Sequence, residues 1–217
     1  MNIDEDIIIN GPIYIKSSNP NGFNKDFNDN FRFKIDKNNK INASGSVMSL
    51  LDGGAGTMTS ISHIPYCFNS MFEDCEGLMT PPDLPAIALG SDCYEYMFSG
   101  CTNLISAPKL PALEIAECAY CDMFCGCESL QTPPELPATQ LAEGCYEDMF
   151  WGCTILETAP ELPATTLAED CYGYMFYDCK ALVKAPFLPA NILPSKCYER
   201  MFYGCSLLKE VSVGFTS

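Results

Sequence analysis

An α/β repeat solenoid is the fold this sequence predicts, and three observations predict it. The pair Met-Phe returns every 26 residues, beginning at Met71, Met97, Met123, Met149, Met175 and Met201. Around each pair the same apolar columns recur, and at least two prolines interrupt every interval that follows. A fixed period of this length marks stacked supersecondary units. The expected architecture is an array of about six coils, each with a short strand and a short helix, behind an N-terminal β-rich cap.

The helix is expected around the Met-Phe pair. A Cys lies four residues before Met (Cys67, Cys93, Cys145, Cys171, Cys197; Ala119 in the third copy), with an aromatic residue after it. Leu167, Cys171 and Met175 stand at i, i+4 and i+8, the spacing of one helical face, with Tyr172 and Phe176 beside them. The spacing predicts a helix over residues 168–176. It would end before the second Cys (Cys75, Cys101, Cys127, Cys153, Cys179, Cys205), where Gly stands in four copies. From the Leu seven residues after Met (Leu78, Leu104, Leu130, Leu156, Leu182, Leu208) the chain should extend, because the prolines exclude a long helix. One strand and two turns of helix in 26 residues match the leucine-rich-repeat class, whose periods run about 20–29.

The phrase Met-Phe-x-Gly-Cys-Thr-x-Leu, then Ala-Pro-Glu-Leu-Pro-Ala-Thr-Thr-Leu-Ala and Cys-Tyr, resembles the BspA-like leucine-rich repeats. It is clearest over residues 145–168 and 171–190, and the resemblance covers about residues 48–211. Such proteins are common on the surfaces of gut and oral bacteria, with related repeats in some parasitic protists. The resemblance implies the fold and a loose association with adhesion, and carries no catalytic residues.

Two segments are expected: residues 1–46 as a β-rich cap or anchor, and residues 47–217 as the repeat array with a closing strand at Val211-Ser212-Val213. Ile7-Ile8-Ile9, Ile13-Tyr14-Ile15 and Phe31-Arg32-Phe33-Lys34-Ile35 read as strands. Asn10-Gly11-Pro12 and Asn19-Pro20-Asn21-Gly22 supply turns between them. Asp26, Asn28, Asp29 and Asn30 lack the spacing of an EF-hand loop and read as a solvated turn.

The formal charge is −16. The first 66 residues carry six Lys/Arg and seven Asp/Glu, leaving six basic and 21 acidic residues to the repeats, which are thus near −15. This field repels phosphate backbones, so nucleic acid is not an expected partner, and it keeps an apolar array soluble. No apolar run reaches the ~18 residues of a membrane span. The N-terminus has neither a basic region nor a signal-type apolar stretch. Either a leader was removed, or the gene has none, as would suit a phage structural protein.

Fourteen cysteines raise the question of a disulfide framework. On a helix the two column cysteines of one unit would lie ~12 Å apart at about 1.5 Å per residue, beyond disulfide reach. They are expected as buried thiols acting as small apolar groups. The third copy departs from the pattern: Cys118, Cys121, Cys125 and Cys127 form a weak four-thiolate candidate for zinc, with a local disulfide or simple drift of a duplicated unit as alternatives.

No catalytic residues or cofactor are expected. His63 is the single histidine and has no distinctive thiol to activate. The recurring carboxylates Asp83, Glu135 and Glu161, and Glu117, Glu143 and Glu169, form surface rows and no acid/base pair. Gly53-Gly54-Ala55-Gly56 lacks the residues of a phosphate loop. Specificity belongs in the variable columns. One pair of columns follows the repeated Leu, from Met79 and Thr80 to Lys209 and Glu210. The other follows Met-Phe, where Trp151, Tyr177 and Tyr203 make an aromatic row with Tyr96, Tyr174 and Arg200 nearby. The expected role is a non-enzymatic recognition or adhesion module outside the cell, on a bacterial surface or virion exterior, binding a protein or glycan partner. The alternative is a structural decoration subunit of a phage particle, anchored to other virion proteins by its N-terminal segment.

Overall fold

The structure is a computed structural model that describes residues 15, 17, 19–22 and 31–214. The expected strand at residues 7–9, most of that at 13–15, the turn at 10–12 and the segment 26–30 lie outside the described residues. From residue 61 onward the chain is a regular repeat array. Met71, Met97, Met123, Met149 and Met175 are fully buried, as are Leu78, Leu104, Leu130, Leu156 and Leu182.

The helix is absent, and the reason is visible in the backbone. Each Met-Phe segment is a run of tandem β-turns. In the first repeat the N–H groups of Asn69, Met71, Glu73 and Cys75 donate to carbonyls three residues back, at 3.0–3.2 Å. An α-helix would use the carbonyl four back. The residues between them turn their N–H groups sideways. Tyr66, Phe68, Ser70, Phe72 and Asp74 donate to Ser91, Cys93, Glu95, Met97 and Ser99 of the next repeat, at 2.8–3.0 Å. Every fourth residue adopts positive φ: Tyr66, Ser70 and Asp74, then Asp92, Tyr96 and Gly100, and so on to Gly204. This left-handed conformation costs an ordinary L-residue about 1–2 kcal/mol and is cheapest for Gly and tolerable for Asp. Gly and Asp accordingly dominate these positions. A four-residue turn and a 3.6-residue helix both bring i, i+4 and i+8 to one side, which is why the Cys-Met-Cys stripe suits either.

Stacking in register places like on like. One column of rings runs Phe68, Tyr94, Tyr120, Tyr146, Tyr172, Tyr198, with centroids 5.7–6.0 Å apart. A second runs Phe72, Phe98, Phe124, Phe150, Phe176, Phe202, at 5.4–5.8 Å. Such pairs contribute about 0.5–1.5 kcal/mol each beyond their buried area. The second Cys column has a polar role as well. Cys101 Sγ donates to the Phe72 carbonyl at 3.1 Å, and Cys127, Cys153, Cys179 and Cys205 repeat this bond one unit further on, at 3.1–3.2 Å. All 14 thiols are free.

The extended half of each repeat is shorter than expected. Two strands form a parallel pair, β1 (Ile41–Asn42) and β2 (Leu78–Thr80). Elsewhere the strand shrinks to isolated parallel bridges such as Ser106 with Thr132 and Thr158 with Lys184. Pro108 and Pro134, and Pro160 and Pro186, stand two residues beyond these two bridges and have no N–H to continue a ladder. At the closing segment no strand forms, but Val213 makes an isolated bridge with Leu188, and the Leu188 N–H donates to Ser212 at 3.0 Å.

At the N-terminal edge, residues 31–43 imitate half a repeat. The Phe33 N–H donates to the Met71 carbonyl at 2.8 Å, its ring stacks on Phe72 at 5.0 Å, and its carbonyl accepts Cys75 Sγ at 3.0 Å. Phe33 thus takes the place that Phe72 has toward Phe98. Phe33 and Ile35 turn inward while Arg32 and Lys34 stay exposed, but Phe31 is exposed too, so the alternation holds only from residue 32 on, and no strand forms at residues 31–35. Gly77 lies so close beneath the carbonyls of Asp36 and Asn39 that a Cβ would collide with both. The turn at residues 19–22 is present, with the Gly22 N–H donating to Asn19 at 3.1 Å, and Gly22 rests on Ile64 and Cys67.

The two edges of the array are chemically opposite. In the tandem turns the sideways N–H groups all point toward the C-terminal repeat, whereas in the extended half those of Ile105, Gln131 and Val183 donate backward. In the last turns the N–H groups of Lys196, Tyr198, Arg200, Phe202 and Gly204 have no acceptor among the described residues. Their amide protons are therefore expected to exchange with solvent at least ten-fold faster than those of Gly144, Tyr146, Asp148, Phe150 and Gly152, resolved by NMR-detected hydrogen exchange.

Candidate binding surface

Behind the buried columns, the tandem turns present a face made from the positive-φ residues and their neighbours. Its side chains stand in rows, because each repeat holds the next by backbone bonds. The carbonyls of Trp151, Tyr177 and Tyr203 accept the N–H groups of Gly126, Gly152 and Asp178 at 2.7–2.8 Å. This fixes the three ring-bearing residues on a common line. Trp151 and Tyr177 lie 4.6 Å apart by centroids, and Tyr177 and Tyr203 4.8 Å. Tyr174 joins from the adjacent column, 6.1 Å from Trp151 and 6.0 Å from Tyr177. Four of the residues singled out in the sequence therefore form one cluster. Trp151 remains 38 % and Tyr203 60 % exposed, so the cluster is an exposed ridge and no part of the core. The Tyr174 hydroxyl donates to Glu199 Oε1 at 3.0 Å, and the exposed Arg200 sits one repeat beyond Tyr174.

Tyr96 does not belong to the cluster. It stands two to three repeats away in the Tyr174 column, with Asp122 and Asp148 between, and its hydroxyl is engaged by the Asp122 carboxylate. Toward the N-terminus the Trp151 row turns polar. Cys125 and Ser99 precede it, and Glu73 pairs with Arg32 at 2.8 Å.

Beside the aromatic ridge runs a stack of carboxylates that sequence reasoning did not single out. Glu95, Asp122, Glu147 and Asp148 occupy the two positions before Met, and stacking brings them within electrostatic reach. Burial, then Asp92, pushes the Glu95 carboxyl up to about 7. Asp148 is likewise pushed up to about 7 by burial and by Asp122 and Glu147. Asp122 and Glu147 are also raised, chiefly by burial. The signal in the sequence was acidic residues recurring in the two columns before Met, adjacent positions that a helix would turn about 100° apart.

The zinc candidate does not assemble. Cys127 Sγ donates to the Phe98 carbonyl at 3.2 Å inside the core, while Cys121 Sγ donates to Asp122 Oδ2 at 3.3 Å on the turn face. Among the described residues no group of three or more His, Cys, Asp or Glu is placed to hold a metal ion. Burial pushes the Cys67, Cys75 and Cys171 thiols up to about 12, the state of inert core groups. His63 is exposed, as are Asp83, Glu135, Glu161, Glu117, Glu143 and Glu169. In the glycine turn at residues 53–56 the Asp52 carboxylate accepts the N–H groups of Gly56 and Thr57, both at 2.8 Å. No helix among the described residues is long and apolar enough to cross a membrane. Comparison with protein-family models, curated proteins and solved structures found no match to this chain.

The raised carboxyls tie stability to pH. Between the ordinary carboxylate range and about 7 the folded chain holds protons at Glu95 and Asp148 that the unfolded chain releases. Stability is then fully present at low pH and declines as pH rises through about 7. The melting temperature is expected to be higher at pH 5 than at pH 8. The double variant Glu95→Gln, Asp148→Asn should flatten that slope, measured by thermal melts across the range.

Proposed function

We propose that the chain is a non-enzymatic recognition module, an array of the BspA-like leucine-rich-repeat kind displayed outside the cell, whose binding surface is the ridge of Trp151, Tyr174, Tyr177 and Tyr203 with Arg200 at its edge. The observation that carries this reading is the ridge itself. Aromatic side chains are held in a rigid row by backbone bonds, yet left partly exposed where they fill no core space. Trp, Tyr and Arg are the residues that most often dominate the energetics of protein interfaces. Rigid rings also lose little side-chain entropy on binding.

The geometry favours a protein partner over a sugar. A sugar ring stacks on an open aromatic face, whereas Tyr177 has a ring on either side and, among the described residues, only the Tyr203 end of the row leaves a face without a ring against it. The carboxylate stack alongside adds negative potential, which suits a partner with a basic rim around an apolar centre. The buried columns, repeated from unit to unit, serve packing, and the character of the turn face changes along the array. The 26-residue period and the buried Leu and Cys columns support the leucine-rich-repeat reading.

Binding to arrays of displayed surface proteins and of glycans tests this with the wild-type chain and the triple variant Trp151→Ala, Tyr177→Ala, Tyr203→Ala. The variant should keep the wild-type circular dichroism and lose at least ten-fold in affinity for protein ligands. Undiminished binding by the folded variant would remove the ridge from the account, and ligands found only among glycans would overturn the protein assignment.

A further inference from the structure

We propose that Cys118 and Cys121 are a thiol pair that closes to a disulfide by exchange with a small-molecule disulfide such as oxidised glutathione, and opens again under thiol reductants. The two residues form the ends of one β-turn, closed by the Cys121 N–H donating to the Cys118 carbonyl at 3.2 Å. Such turns hold their end Cα atoms within about 7 Å, and a disulfide needs about 4.4–6.8 Å. The two thiols lie within hydrogen-bonding reach of each other, a contact that together with burial raises the Cys121 thiol.

Three features set this pair apart from the other thiols. Cys118 is partly exposed, whereas most column thiols are buried, and the second column is committed to the Phe carbonyls. The column position in this repeat is taken by Ala119, so Cys118 lies outside the core column with its thiol on the turn face. Across the stack the residue aligned with Cys118 is Gly144, where a Cβ would come within 3.0 Å of Cys118 Sγ. The aligned residues elsewhere, Tyr66, Asp92, Asp170 and Lys196, all carry larger side chains. The missing side chain at Gly144 is what gives the Cys118 thiol its room.

The exchange balances without another reagent. Cys118, as thiolate, attacks one sulfur of glutathione disulfide; the S–S bond breaks and one glutathione thiolate leaves. Cys121 passes its proton toward Asp122 Oδ2, to which it is hydrogen-bonded at 3.3 Å, and attacks Cys118 Sγ. The second glutathione departs, so two protein thiols are oxidised by two electrons as one disulfide is reduced to two thiols.

The full chain, purified reduced, is incubated with glutathione disulfide under native conditions and its intact mass and free thiols are measured. The expected result is a loss of two hydrogen atoms, a fall from 14 free thiols to two fewer, and a linkage mapped by fragmentation to Cys118–Cys121. Dithiothreitol should restore all of them. Cys118→Ser and Cys121→Ser should each abolish the two-hydrogen loss, and Cys125→Ser should retain it. An unchanged mass, a glutathione adduct that persists on the wild-type chain, or a linkage at any other pair would overturn the proposal.

Discussion

The sideways N–H group is the constraint on which the rest of this structure depends. In the tandem turns alternate residues close their own turn and alternate residues bond to the next repeat, five bonds at each junction. A helix would satisfy its N–H groups internally and leave neighbouring units joined by side chains alone. Here the backbone itself fixes the register. Because every junction uses the same offset, each side chain lies on its counterpart in the next unit, and the ring columns, the thiol column and the carboxylate stack all follow. Each net hydrogen bond contributes about 0.5–1.5 kcal/mol. With two ring pairs per junction, this offsets the left-handed conformations demanded of Tyr66, Tyr96 and Tyr174, where neither Gly nor Asp eases them.

The same directionality makes the turn side of the array polar from end to end, while the extended side bonds both ways. In the tandem turns, carbonyls face the N-terminal edge, where Phe33 and Gly22 cover the first repeat, and N–H groups face the other, where the described residues supply no acceptor. Tyr203, the most exposed member of the aromatic ridge, stands at this end.

Much of this was legible in the sequence. The 26-residue period, the inward columns of Met, Cys, Leu and aromatic residues, and the turn at residues 19–22 appear where the pattern put them. So does the row of Trp151, Tyr177 and Tyr203, because residues one period apart must align in any stacked array. The helix was misread for a specific reason: an i, i+4, i+8 stripe cannot distinguish a 3.6-residue helix from a four-residue turn. The distinguishing signal was Gly or Asp recurring every fourth residue, as at Gly144, Asp148 and Gly152. Tyr96 was placed with the ridge although Asp122 and Asp148 separate it from Tyr174 in the same column. The S–H donation from Cys153 to Phe124 was not legible at all, since it depends on which carbonyl the neighbouring turn leaves facing the thiol.

Solution NMR offers the most direct test of this backbone, through scalar couplings transmitted across hydrogen bonds. The tandem-turn account predicts a coupling from the Tyr146 amide to the carbonyl carbon of Cys171, and from the Met149 amide to that of Tyr146. Couplings from Tyr146 to Ala142 and from Met149 to Cys145, each four residues back within one repeat, would mean that the segment is an α-helix and would contradict the account.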